Sequence, residues 1–226
     1  MGRAFAVAFR VDATTLIGSG HVMRCLTLAD ALAEAGTRCY FVMRQEPGNL
    51  EGAVRRRGHH VLMLSSAEFG ESASSSESVP PHAAWLRVSW EADACDTLQA
   101  LEGTELDWLV VDHYALDHRW ESQVVGCCRR LLAIDDLADR KHQCDLLLDQ
   151  NLGRDLHDYD GLVPGRMRRL IGSDYALLRP EFRRARAMSL EARQTREPGN
   201  ILVSMGGVDA ANVTGNVLRV LDTIEV

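Results

Sequence analysis

The chain has 226 residues, 46% hydrophobic and 25% charged, which suits an ordinary globular protein with room for one large domain or one and a fraction. A formal net charge of −7 argues against a general affinity for nucleic acid or anionic membrane. Six cysteines (Cys25, Cys39, Cys95, Cys127, Cys128, Cys144) form no C-x-x-C pair, no signal-peptide pattern is read, and no apolar stretch approaches membrane-spanning length. The expected location is therefore the reducing cytoplasm, with the cysteines mostly small buried residues.

In chain order, strand-like and helix-like segments alternate, the pattern of a parallel sheet with helices on both faces. Ala4–Val11 reads as a strand. The spacing of Val22-Met23, Leu26, Leu28-Ala29 and Leu32-Ala33 predicts a helix, ended by Gly36. Thr37–Met43 reads as a strand, Leu50–Arg57 as a helix, and His60–Leu64 as a short strand. Ser65–Pro81, rich in Ser and Glu, reads as a loop. A helix is expected over Ser89–Leu101, a buried strand over Trp108–Val111, a helix over Arg119–Cys128 and a strand over Arg130–Ile134. Asp145–Leu148 is a further strand, and Pro180–Met188 a helix with proline in its first turn. The arginine clusters at Arg55–Arg57, Arg129-Arg130, Arg166–Arg169 and Arg183–Arg186 read as solvated helix faces and ends.

Residues 195–200 have the composition of a linker. Beyond them, Ile201–Ser204 reads as a new buried strand and Ala211–Leu221 as a helix. One strand and one helix cannot bury a core, so the expectation is an N-terminal domain over 1–194 and the truncated start of a second α/β domain over 201–226.

The most informative segment is Ile17-Gly18-Ser19-Gly20-His21, between the first strand and the first helix. A glycine-rich turn there leaves free N–H groups at the helix N-terminus, where the macrodipole favours an anion. The same positive end disfavours an imidazolium, so His21 is expected to stay neutral and able to accept a proton. The segment is neither a dinucleotide fingerprint, since the third glycine would fall at Met23, nor a P-loop, since no Gly-Lys-Ser/Thr follows. Gly18–His21, Asp112–Tyr114, Asp135-Asp136, Asp149–Asn151 and Ser204–Gly207 all fall just after strands, so they line one cleft in an open α/β sheet.

Asp112 with His113 and His118, and Asp135-Asp136 with Asp139 and His142, match no defined zinc or calcium spacing. They read as strand-end polar residues, and no metal is assigned. His59-His60 and His82 receive no role, and no nucleophile elbow is present.

Arg10-Val11-Asp12-Ala13 followed by Ile17-Gly18-Ser19-Gly20-His21-Val22-Met23-Arg24 resembles the opening of the UDP-2,4-diacetamido-2,4,6-trideoxy-β-L-altropyranose hydrolases of pseudaminic acid biosynthesis. Val111–Tyr114, Ile134–Asp136, Asp149–Asn151, Gly172–Phe182 and Ser204–Gly207 with Asp209 and Asn212 are similar to the same family. The resemblance implies a glycosyltransferase-B architecture, two Rossmann-like domains facing a cleft. It implies hydrolysis of the anomeric bond to UDP with inversion and without a metal or other cofactor. His21 would be the general base that activates water, with Tyr114 positioning water or substrate. Arg10, Asp12, Gly18, Ser19, Gly20 and Arg24 would contact substrate, and Ser204, Gly206 and Gly207 would offer backbone amides to the diphosphate. The implied partner is a UDP-sugar, with neither nucleic acid nor membrane.

Such chemistry is coherent: the leaving group is already good, so the protein mainly positions a water and stabilises departing charge. An inverting reaction needs the base across the ring from the leaving group. Two alternatives stay open, a glycosyltransferase of the same architecture and a non-catalytic nucleotide-sugar-binding fragment.

Overall fold

The computed structural model describes residues 3–66, 80–195, 199–206, 209 and 211–224. Seven strands form one all-parallel sheet: β1 (Ala6–Val11), β2 (Arg38–Arg44), β3 (His60–Leu64), β4 (Leu106–Asp112), β5 (Cys128–Ile134), β6 (Leu146–Asp149) and β7 (Arg168–Ile171). Their spatial order is β3-β2-β1-β4-β5-β6-β7. The helices are α1 (Gly20–Glu34), α2 (Glu51–Arg56), α3 (Trp90–Ala100), α4 (His118–Val124), α5 (Pro180–Thr195) and α6 (Val213–Leu221).

Alternation along the strands sorts side chains onto two faces. Val7, Phe9 and Val11 of β1 join Val22, Cys25, Leu26 and Ala29 of α1 and Val54 of α2 in one core. Ala6 and Ala8 of β1 face the other way, into a core with Ala94 of α3 and Trp120 and Val124 of α4. Both faces of the sheet are thus covered, which is why its strands read as nearly continuous apolar runs.

The elements expected from the sequence recur with small shifts at their ends, the helix expected over Pro180–Met188 runs on to Thr195, and three further differences bear on the sheet and the C-terminal segment. The helix expected over Arg119–Cys128 stops at Val124; a 3-10 turn covers Val125–Cys127, and Cys128 already belongs to β5. Strand β7 carries Arg168 and Arg169 and pairs only with β6, so an edge position tolerates what an apolar pattern would not reveal. Ile201–Ser204 is not a buried strand: Ile201 is 70% and Leu202 92% exposed, because the described residues give this segment no ladder partner.

Candidate functional site

Strand order reverses between β1 and β4: from β1 the chain builds outward to β2 and β3, then returns to lay β4 on the other side. A crevice at the carboxyl ends of the strands opens at such a switch point. The turn that feeds α1 sits there. Gly18 takes φ +80, a left-handed conformation that glycine adopts without strain, and its N–H donates to the Thr14 carbonyl at 2.8 Å. Ser19 is the N-cap of α1, but its side chain caps nothing, so its hydroxyl is not needed by the helix. Gly20 is the first helical residue, and His21 follows in the first turn.

His21 is 8% exposed, and its Nδ1 is buried without a hydrogen-bond partner. Its ring meets Tyr114 edge-on, with centroids 4.6 Å apart. Burial holds the imidazole pKa below its ordinary value; the Asp112 carboxylate pulls the other way, and the Arg24 guanidinium adds to the lowering. The neutral histidine expected from the helix terminus is therefore also the form that burial favours.

Arg24, one turn further along α1, ties the helix to two strand ends. Its Nε and NH2 donate to Asp112 Oδ2 and Oδ1, both at 2.6 Å, and its NH1 donates to Asp136 Oδ2. Burial opposes the Asp112 carboxylate, yet Arg24 keeps its pKa below the ordinary value. Tyr114 donates its hydroxyl to the same Asp136 Oδ2 at 2.7 Å. Burial and that hydrogen bond push the phenol pKa up, so Tyr114 stays protonated. Asp136 Oδ1 is left buried without a partner.

Arg10 and Asp12 lie below this corner. Arg10 is fully buried and grips Asp93 of α3 through Nε at 3.0 Å and NH2 at 2.6 Å, while NH1 reaches Asp12 Oδ1 at 2.8 Å. Asp12 Oδ1 also accepts the Arg44 N–H at 2.7 Å, and Asp93 further accepts from Arg44 and the Trp120 indole. Both residues are committed to joining β1, β2, α3 and α4. His113 stands beside them, its Nε2 3.5 Å from Asp12 Oδ2 and its Nδ1 accepting the Ala115 N–H. Burial lowers the His113 pKa to about 4.

The remaining strand-end carboxylates are likewise engaged. Asp135 accepts from Arg140 at 2.7 Å and Asp149 from Arg154 at 2.6 Å, and the single Tyr159 hydroxyl proton is shared between them, with Asp135 Oδ2 at 2.9 Å and Asp149 Oδ2 at 2.8 Å. His142, which matched no metal pattern, pairs with buried Glu121 at 2.7 Å.

His21, Arg24 and Tyr114 thus come together, with Gly18, Ser19 and Gly20 in the adjoining turn. Arg10 and Asp12 sit beneath. Ser204 and Gly206 are exposed in the 199–206 segment, and Gly207 lies outside the described residues. Sequence reasoning missed His82 and Trp85. Trp85 stacks on Tyr114 at 5.6 Å and tilts toward His21 at 6.4 Å; His82 contacts Trp85 at 4.5 Å and Tyr114 at 5.5 Å. The only signal was a histidine and a tryptophan three residues apart behind Pro80-Pro81. Two cavities, about 490 Å³ beside Gln45 and Arg87 and about 550 Å³ between α1 and the start of α5, are not lined by His21.

No protein-family model matches the chain. It is similar to the UDP-2,4-diacetamido-2,4,6-trideoxy-beta-L-altropyranose hydrolase of Campylobacter jejuni, 27% identical over 212 residues, covering 92% of this chain and 62% of that protein. An uncharacterized protein of Methanocaldococcus jannaschii is 20% identical over 219 residues, covering 95% of this chain and 39% of that one. The chain thus spans less than two thirds of the curated relatives it matches. Among solved structures, MurG of Acinetobacter baumannii superposes with a TM-score of 0.54 at 14% identity, covering 99% of this chain and 58% of that one. The fold is accordingly α/β, a Rossmann-like parallel sheet of glycosyltransferase-B type. Among the described residues, no helix is long and apolar enough to cross a membrane.

Proposed function

We propose that this chain carries the general base of a UDP-sugar hydrolase acting on a UDP-linked 2,4-diacetamido-2,4,6-trideoxy sugar. Water attacks the anomeric carbon, the bond to UDP breaks with inversion, and UDP and the free sugar leave. The observation that carries the reading is His21, a neutral and nearly buried imidazole in the first turn of α1 at the switch point, with Nδ1 unpartnered. The similarity to the Campylobacter jejuni hydrolase supports the substrate class.

His21 removes a proton from the attacking water, and Tyr114 fixes the imidazole edge-on. Arg24 holds α1 against the ends of β4 and β5, so the base keeps its place relative to the sheet. Residues 1–194 carry the base in this reading, and the segment from 201 begins the nucleotide-binding half, where the backbone of Ser204, Gly206 and Gly207 meets the diphosphate.

The test incubates the intact protein with UDP-2,4-diacetamido-2,4,6-trideoxy-altropyranose and no acceptor. Release of UDP matched by free sugar, with the anomer followed by NMR, is the expected result, and His21→Ala should lower turnover by about 100-fold or more. UDP release only when an acceptor alcohol is added would make the protein a transferase, and unchanged turnover in His21→Ala would remove the base.

A further inference from the structure

A short segment outside the family-like motifs meets the catalytic corner. The 3-10 turn Ala83–Trp85 is pinned from below by Leu86, 3% exposed and part of the core over α3 and α4. With Leu86 fixed, the half-buried Trp85 indole lies nearly parallel to the Tyr114 ring, at 26° and 5.6 Å, and 6.4 Å from His21. The half-buried His82 ring closes against both Trp85 and Tyr114. Four rings from three separate segments therefore converge at one corner, and only one of them is the proposed base.

Aromatic faces that remain partly exposed beside a buried polar group characterise ligand pockets, where apolar walls give fit and a few polar atoms give orientation. The half-exposed rings at this corner suit the C–H and methyl faces of a ligand better than its hydroxyls, because hydroxyls pressed on a ring would lose water without gaining a partner. Resting on the reading of the site as a nucleotide-sugar site, we propose that Trp85 and His82 form the wall of its sugar-ring subsite, selecting a pyranose that presents methyl and acetamido-methyl groups where an ordinary hexose presents hydroxyls. Neither residue takes part in proton transfer. They are specificity residues, and the wall also keeps bulk water away from His21.

The experiment compares the affinities of two UDP-sugars by calorimetry in the intact protein. One is the diacetamido-trideoxy sugar; the other is UDP-N-acetylglucosamine, with hydroxyls at C4 and C6. A His21→Asn background prevents turnover. The readout is the ratio of the two Kd values, which does not depend on the fraction of protein that is folded. A hydrophobic pocket gains roughly 10-fold or more per methyl group recognised, so Trp85→Ala should collapse the preference by at least about that factor. Trp85→Phe, which keeps a ring face, should retain most of it, and His82→Ala should weaken it partially.

A preference unchanged in Trp85→Ala, or absent from the start, overturns the proposal, as does failure of both sugars to bind. The UDP-release assay on protein with His21 intact is read separately. Release without a Trp85 effect on preference leaves the hydrolase and removes the wall. A collapsed preference without release leaves the wall and removes the hydrolase.

Discussion

Replacing Arg24 by Met removes a buried charge while keeping an unbranched side chain in its place. Asp112, 0% exposed, loses both 2.6 Å hydrogen bonds and keeps, among the described residues, the weak Cys25 thiol at 3.4 Å. Breaking a buried pair by deleting one partner costs about 3–5 kcal/mol, against a total stability of about 5–15 kcal/mol for a domain. With a urea slope of about 1–3 kcal/mol per molar, the unfolding midpoint should fall by at least about 1 M. The sign of the pH dependence also reverses at this carboxyl. With Arg24 present, the folded Asp112 pKa is depressed, so its contribution is present above the unfolded value and lost in acid. Without Arg24, burial raises that pKa, so the deficit shrinks in acid and grows with rising pH. His21 reports the same change independently: it loses a cation that lowers its pKa and keeps the Asp112 and Asp136 carboxylates that raise it, so its NMR titration should move upward. A urea midpoint within about 0.3 M of the parent, or a His21 titration that stays or moves down, would refute this reasoning. The double variant Arg24→Met with Asp112→Leu should regain most of the stability, since apolar replacement of a buried pair is often neutral.

Asp93→Ala takes one carboxylate from Arg10 and Arg44, leaving them Asp12 and Asp96, and frees the Trp120 indole N–H; a loss of about 3 kcal/mol in urea unfolding is expected. The buried histidines predict opposite limbs in a Tm-against-pH profile. His142 has its pKa raised to about 9: burial alone would lower it, but Glu121 and Asp135 together outweigh burial. Its contribution is therefore present below pH 6.5 and lost as pH rises through about 9. His113, lowered by burial to about 4, gives a contribution present above 6.5 and lost as pH falls toward 4. Each gap corresponds to about 3 kcal/mol, and His142→Gln and His113→Asn should each remove one limb. Because the Ser19 side chain caps nothing, Ser19→Ala should change stability by less than about 0.5 kcal/mol, while a substrate contact would show as a raised KM at unchanged Tm.

Most of the sheet was legible because strands buried on both faces are short apolar runs whose boundaries are set by glycine, proline and charge. Gly36 marked the end of α1 and takes φ +86 just past it. What could not be read was anything decided across the sheet. Arg10 and Asp93 are 83 positions apart and Arg24 and Asp112 are 88 apart, so no local spacing shows that these arginines are ion-pair anchors. Trp85 and His82 reach Tyr114 because Leu86 anchors their turn in the core, a packing fact without periodicity. Ile201–Ser204 failed as a buried strand for the converse reason: composition announces that a segment suits a strand but does not supply its neighbour.

Across adjacent strand ends the carboxylates are matched by arginines: Asp12 with Arg10, Asp112 with Arg24, Asp135 with Arg140, Asp149 with Arg154. This pairing bears on the proposed reaction more than any single contact. A free carboxylate beside His21 would raise its pKa and charge it before substrate arrived. With Arg24 neutralising Asp112, burial prevails and the imidazole starts neutral. In the proposed reaction the Asp112 and Asp136 carboxylates offset part of the cost that burial puts on the imidazolium, and Asp136 Oδ1 still lacks a hydrogen-bond partner. The corner thus keeps His21 neutral and ready to accept a proton while limiting what the imidazolium costs, the balance that a general base near neutral pH needs.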